Sequence, residues 1–184
     1  GLGQNIVIEA KPGLAGNIAA EAVARADPDG YTLMTVASAH AATGALSKNL
    51  KYKVVEDFDW ISTVSFYPFL ICVRKDSRFQ TLADVLKEAK AKPGSLTYGS
   101  AGVGSILHTT VELLANMTQT KFIHVPYRGE APALTGLLSG DFDFIAATTG
   151  ATMPRVKSGE IRALATTGKL RWKDLPNLPT VNEA

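Results

Sequence analysis

The stretch that decides the fold is Leu96-Thr97-Tyr98-Gly99-Ser100-Ala101-Gly102-Val103-Gly104-Ser105-Ile106-Leu107-His108. A short apolar strand runs into a loop of glycine and serine, and the loop opens directly into a helix. Glycines let backbone N–H groups turn inward and let a ligand come close. The first N–H groups of a helix lack partners within it and carry the positive end of its dipole, roughly half a charge. Such a corner suits an anionic oxygen, usually of a phosphate or a carboxylate. It equally suits a tight strand-to-helix turn in which Ser105 serves only as N-cap. A lone glycine-rich turn is a weak signal, so the rest of the chain has to weigh in.

Elements alternate on both sides of it. Asn5-Ile6-Val7-Ile8-Glu9 reads as a strand, 17–26 as an Ala-rich helix, and 31–37 as a buried strand. Asp27-Pro28-Asp29-Gly30 between the last two is strong turn chemistry. Two apolar runs, 60–66 and 68–74, follow an irregular stretch. In 81–91, Leu82, Val85, Leu86 and Ala89 share one helical face. After the corner come a helix at 105–117, a strand at 121–125, a helix at 131–138 and a strand at 142–147. A short helix at 152–157 and a strand at 161–166 complete the pattern. The tail 175–180 is Pro-rich and irregular. Strands spaced by helices imply parallel βαβ units and an α/β fold. The stretch 73–166 should form one lobe with a parallel-rich sheet and helices on both faces. In such sheets ligands bind beyond the C-terminal strand ends. The glycine corner, Ser38-Ala39-His40, Tyr127-Arg128-Gly129 and Thr148-Thr149-Gly150 all sit at such ends. Four small or polar strand ends around one cleft favour a binding site.

Composition narrows the function class. The 184 residues are 46% hydrophobic and 20% charged, ordinary for a globular protein. The net charge of +2 and the scattered basic residues argue against a nucleic-acid surface. The one cysteine, Cys72, lies in the apolar run Pro68-Phe69-Leu70-Ile71-Cys72-Val73 and reads as a buried, inert thiol. It excludes an internal disulfide and a Cys-based metal site. No apolar stretch reaches the ~18 residues of a membrane span. No signal peptide stands at Gly1, so any such signal has been removed.

Catalytic groups are sparse. The three histidines, His40, His108 and His124, show no metal-binding spacing. Gly99-Ser100-Ala101-Gly102 is not a Gly-x-Ser-x-Gly nucleophile elbow, because the second glycine comes one residue early. Neither a dinucleotide fingerprint nor a Gly-Lys-Ser/Thr phosphate loop occurs. Asp141 and Asp143 should lie on one solvated face of a strand edge. Arg128 could clamp a carboxylate in two-pronged fashion, or be an ordinary surface residue. No acid–base–nucleophile set emerges, which argues for binding without chemistry. The competing reading is a hydrolase or transferase that uses the corner as an oxyanion or phosphate cradle. It requires His108 or His124 within hydrogen-bond reach of Ser100 or Ser105.

Several segments together resemble the extracytoplasmic solute receptors of tripartite tricarboxylate transporters, the Bug or TctC family. They are Val7-Ile8-Glu9-Ala10-Lys11-Pro12-Gly13-Leu14-Ala15-Gly16-Asn17-Ile18-Ala19-Ala20-Glu21, Asp27-Pro28-Asp29-Gly30-Tyr31-Thr32-Leu33, Tyr98-Gly99-Ser100-Ala101-Gly102-Val103-Gly104-Ser105, His124-Val125-Pro126-Tyr127-Arg128-Gly129, Ile161-Arg162-Ala163-Leu164-Ala165 and Leu178-Pro179-Thr180-Val181-Asn182-Glu183. The resemblance implies a type II periplasmic binding protein fold with two lobes, here truncated at both ends relative to the family. It divides the chain into a partial first lobe at 1–72, a nearly whole second lobe at 73–166, and a segment at 167–184 returning to the first. It implies a periplasmic receptor, with no cofactor, no metal and no catalytic residue. The receptor holds a small carboxylate-bearing ligand and delivers it to a membrane permease. The ligand would be a dicarboxylate, a tricarboxylate, an aromatic acid or an acidic amino acid. Carried over by motif, Ser100, Ala101, Gly102, Gly104 and Ser105 form the second lobe's binding loop. Ser38 and Ala39 fall at the first lobe's cleft edge, with Tyr127, Arg128, Gly129 and Thr148 nearby.

Overall fold

Leu70 and Cys72 point to one side of their strand, Ile71 and Val73 to the other, and all four are buried. The same holds for Phe144 and Ala146 against Ile145 and Ala147. Continuous apolar runs of this kind form only in a sheet covered on both faces. The computed structural model describes residues 3–11, 16–37, 39–47 and 49–184, and has that sheet at its centre. It falls into two compact units, 1–62 and 63–184.

The second unit contains β1 (Phe69–Arg74), α3 (Leu82–Ala91), β2 (Thr97–Ser100), α4 (Ile106–Thr118), β3 (Ile123–Pro126), α5 (Glu130–Ser139), β4 (Phe144–Thr148), α6 (Thr149–Lys157) and β5 (Ile161–Thr166). The strand order is β3-β2-β4-β1-β5. On one face, Leu82 and Val85 of α3 and Val111 and Leu114 of α4 pack over Tyr98 and Phe144. On the other, Leu134 and Leu137 of α5 pack over Leu70, Cys72 and Ile145. The expected helices on both faces are present. The expected parallel-rich sheet is instead mixed. β2 pairs in parallel with β3 and β4, but β1 runs antiparallel to both β4 and β5. Helix-spaced strands suggest a parallel crossover by default. β1 departs from it because it begins at the end of the sheet where β4 finishes, with Phe69 opposite Thr148.

This topology brings one end of the sheet into use. β2, β3 and β4 all finish there, at Ser100, Pro126 and Thr148. The opposite end is fastened by a residue whose sequence context suggests a solvated edge. Asp143 is not on one. Its carboxylate accepts from the Thr97 N–H at 2.8 Å and the Thr97 hydroxyl at 3.0 Å, pinning the start of β2 to the start of β4. Asp141 is exposed, as expected, and accepts from the Tyr127 hydroxyl at 2.7 Å. The stretch 167–184 also belongs to this unit: Thr180 bridges Thr166, and Val181 N–H donates to the Thr166 carbonyl at 2.9 Å.

The regular elements of the first unit, among the described residues, are α1 (Asn17–Ala24) and α2 (Ala39–Leu46). His40 is buried there against Tyr52, Phe58 and Trp60, and its Nε2 lies 3.0 Å from the Val54 carbonyl. It is a satisfied structural histidine. Helix α2 lies in a stretch that reads as irregular. The strands expected at 5–9 and 31–37 enter no sheet among the described residues, nor does the run 60–66. Ile8, Tyr31 and Phe66 are more than nine-tenths exposed. An alternating apolar segment becomes a strand only where a neighbouring strand offers its ladder.

Cys72 gives a direct check on the sheet. Its side chain is fully buried, and burial pushes its thiol well above the usual range. A thiol reagent should label the native protein far more slowly than the urea-unfolded protein. Equal rates would mean that the centre of the sheet is open.

Candidate functional site

The corner between β2 and α4 is built by its own short-range bonds. Ser100 ends β2 fully buried, and its hydroxyl oxygen accepts from the Gly102 N–H at 3.0 Å. The Ser105 N–H donates to the Gly102 carbonyl at 3.1 Å. Gly102 adopts a φ of +119°, and a Cβ there would stand 3.2 Å from the Tyr127 carbonyl oxygen. Only glycine combines that backbone with that approach. Ser105 then caps α4, its hydroxyl accepting from the His108 N–H at 3.3 Å. The Gly104 N–H donates to Nδ1 of His108 at 3.3 Å.

These bonds leave a particular set of donors free. The N–H groups of Ala101, Val103, Ile106 and Leu107 have no acceptor among the described residues. Two of them are the first N–H groups of α4, where the helix dipole is positive. Arg128, on the loop after β3, is exposed and forms no ion pair among the described residues. Two unpaired donors on the loop, two at the helix start and an exposed guanidinium on the adjoining loop are the kinds of group that can hold an anion.

The three loops at this end are tied to one another. The Tyr127 N–H donates to the Ser100 carbonyl at 3.0 Å. Gly129 caps the start of α5, and the Glu130 carboxylate accepts from the N–H of Thr148 and, at 2.9 Å, from its hydroxyl. Thr148 is therefore already committed to a carboxylate of the chain itself, while its hydroxyl also caps α6 through the Ala151 N–H. The Tyr127 ring lies away from the corner, against Phe142 and Gly136, with its hydroxyl on Asp141. Only the Tyr127 backbone reaches the corner. Of the residues singled out in the sequence, the structure thus groups Ser100, Ala101, Gly102, Gly104 and Ser105 with the backbone of Tyr127. Arg128 and Gly129 follow on the adjoining loop. Ser38 lies outside the described residues, and Ala39 is placed only as the first residue of α2.

Of the two histidines that the sequence offers as neighbours of Ser100 or Ser105, both lie under the corner, and their contact with each other is what the sequence does not show. The His108 and His124 rings meet with centroids 4.2 Å apart, and Tyr98 stacks on His124 at 4.9 Å. Nε2 of His124 lies 2.7 Å from the Ser100 hydroxyl. The Tyr98 hydroxyl donates to Glu112. Burial and the adjacent His108 hold His124 below the usual histidine range. Spacing of 16 between the two histidines carries no local signal, because they meet only through the pairing of β2 with β3.

The Ser100–His124 contact meets the distance that a nucleophile requires. The rest of the arrangement does not. Ser100 is fully buried and its oxygen is already held by the Gly102 N–H. Among the described residues no carboxylate hydrogen-bonds to His124, since Glu112 is engaged by Tyr98. A nucleophile needs access and an oriented base. The described residues also include no group of three or more His, Cys, Asp or Glu suited to a metal ion. No described helix is long and apolar enough to cross a membrane.

Comparison with known proteins agrees with a binding role. Residues 1–184 match the family described as tripartite tricarboxylate transporter family receptor. The chain belongs to this family. A curated relative from Agrobacterium vitis, the UPF0065 protein in the TAR-I ttuE-ttuC' intergenic region, is 38% identical over 182 residues. The match covers 99% of this chain and 53% of the relative. Among solved structures, the R. palustris protein Rpa4515 with adipate has a TM-score of 0.89 and 35% identity, covering 100% of this chain and 62% of that one. The periplasmic binding protein BugD has a TM-score of 0.86 and 31% identity, covering 99% and 61%. The chain spans about half the length of the curated relatives it matches. In this receptor family the fold is that of a periplasmic binding protein, and the mixed sheet described above is its second-unit core.

Ser100→Ala tests the wiring of the corner. It removes the acceptor of the half-buried Gly102 N–H and leaves the half-buried His124 ring without its partner in one step. Urea denaturation should show a loss of about 1–3 kcal/mol, the range for stranding a buried polar group. An unchanged midpoint would mean that the hydroxyl bears no part of the corner.

Proposed function

We propose that this chain is part of a periplasmic receptor that captures a small dicarboxylate between two lobes and hands it to a membrane permease. The observation that carries the reading is the set of unpaired N–H groups at Ala101, Val103, Ile106 and Leu107. Backbone donors at a helix start hold a carboxylate without a buried counter-charge, so no desolvated ion pair is needed. Arg128 stands on the next loop as a second, charged anchor for the far end of the ligand. Ser100, Ala101, Gly102, Gly104 and Ser105 form the cradle, with the Tyr127 backbone, Arg128 and Gly129 beside it. Thr148 acts through Glu130 as a brace for the rim. Ser38 and Ala39 supply the first lobe's edge. The adipate-bound relative supports a dicarboxylate over the aromatic and tricarboxylic acids. The family description supports a transporter permease as the partner, and BugD supports the periplasm as the compartment.

The test is ligand-induced stabilisation of the full-length gene product. Adipate and dicarboxylates of neighbouring chain length should raise the melting temperature by several degrees at about 100 times Kd, as mass action requires. The neutral diamide of adipic acid should not. If no carboxylic acid shifts the transition, the reading fails. Calorimetry with Gly102→Val should then show affinity reduced by about tenfold or more, because the branched side chain meets the Tyr127 carbonyl and is strained at positive φ. Wild-type affinity in that variant would move the anion cradle elsewhere.

A further inference from the structure

The contacts under the corner point to a role for two residues that ligand contact alone would not identify. The corner is held at two places by imidazoles. Nδ1 of His108 accepts from the Gly104 N–H, and Nε2 of His124 lies on the Ser100 hydroxyl that in turn holds Gly102. His108 reaches back from the third residue of α4 to a residue before the N-cap, much as the N3 side chain of a capping box does. It thereby occupies the Gly104 N–H and leaves the N–H groups of Val103 and Ile106 on either side free. Without it, the Gly104 peptide, at a φ of +79°, is held only by the Ser105 N–H to Gly102 carbonyl bond that closes the turn around it.

We propose that His108 and His124 are positioning residues for the anion cradle, and that His108 works only while its Nδ1 carries no proton. The inference rests on the reading of the corner as a carboxylate site. A proton on Nδ1 turns the acceptor into a donor that faces the Gly104 N–H. Two donors cannot share that gap, so the Gly104 peptide turns away and the cradle loses its shape. His124 reinforces the restriction, because its ring lies against that of His108 and two adjacent imidazolium charges repel. The other titratable groups facing the pair are Tyr98 from β2 and Glu112 from α4. Tyr98 stacks on both rings and gives its hydroxyl proton to Glu112. Burial and Glu112 raise the Tyr98 hydroxyl, so it stays protonated throughout the range in which histidine titrates. Glu112 favours a proton on His124, whereas burial and His108 oppose it, and the opposition is the larger effect. Burial and the neighbouring His108 ring therefore favour the neutral form of His124.

Two measurements decide it. The first needs no ligand. Nitrogen-15 spectra of the wild-type protein should show His108 Nδ1 unprotonated at pH 8. The Gly104 amide resonance should then shift with the same midpoint as the His108 ring. A Gly104 amide that does not respond as His108 titrates overturns the proposal. The second uses the full-length gene product with adipate as probe, by calorimetry at pH 8 and pH 6, a window in which adipate stays mainly a dianion. Wild-type affinity should fall by about tenfold on acidification, the scale of losing one charge-assisted hydrogen bond. His108→Leu should bind about tenfold more weakly at both pH values. His108→Asn, whose Oδ1 stands where Nδ1 stood and does not titrate, should recover most of that affinity and show a flat pH profile. A His108→Asn variant that keeps the wild-type pH dependence, or a folded His108→Leu variant that binds as wild type, overturns the proposal. If wild type binds no dicarboxylate, the carboxylate reading itself has failed, while the Gly104 spectra still decide whether His108 sets the corner.

Discussion

A sheet buried on both faces has polar backbone to offer at its ends and along its two edge strands, not across its faces. That constraint organises the second unit. Its faces are sealed by α3 and α4 on one side and by α5 and α6 on the other, through residues such as Phe144, Tyr98, Leu134 and Leu137. The loops that follow β2, β3 and β4 are the places where chain direction changes and backbone groups come free. Because these three strands run the same way, their loops share one end of the sheet. The opposite end is closed instead by Asp143 on Thr97 and by the Arg162 guanidinium on the carbonyls of Lys75 and Phe79. Among the described residues, nothing comparable covers the donors of the corner.

The corner uses some of its polar groups to keep others available. Gly102 and Gly104 are the residues a reader of sequence would pick as anion donors. Their N–H groups are used internally, on Ser100 and His108. Their contribution is conformational: their positive φ values shape a turn in which their neighbours' N–H groups have no acceptor among the described residues. Thr148 shows the same pattern. It stands at a helix start, like Ser105, yet its donors are occupied by Glu130. At α6 the Thr148 N–H and hydroxyl are occupied by a carboxylate of the chain itself, which the start of α4 lacks among the described residues. The difference is a single glutamate on the neighbouring loop.

Much of the second unit was legible along the chain. The strand and helix spans from 69 to 166 follow closely from apolar runs, the helical face of 81–91 and the glycine stops, since each signal is local. The direction of β1 was not legible, because alternation of strands and helices does not record which end of the sheet a strand enters from. In the first unit the apolar alternation at 5–9 and 31–37 speaks only for strand propensity, and propensity forms no strand without a partner. The Asp143 anchor and the His108–His124 pair were hidden for a related reason. Each joins residues 46 or 16 positions apart, and only the register of β2 against β4 and β3 brings them together.

The sequence by itself determined the α/β class, the buried thiol at Cys72, the anion-competent turn at 100–105 and membership of a transport-receptor family. All of these depend on residues close together in the chain, where spacing and side-chain type suffice. The tertiary structure decided which of the turn's N–H groups remain free, why Thr148 is not an open site, and that Ser100 is a buried strut. It also placed two histidines beneath the cradle. Those outcomes depend on which acceptor is nearest to each donor in space, and strand pairing, not sequence spacing, sets that distance.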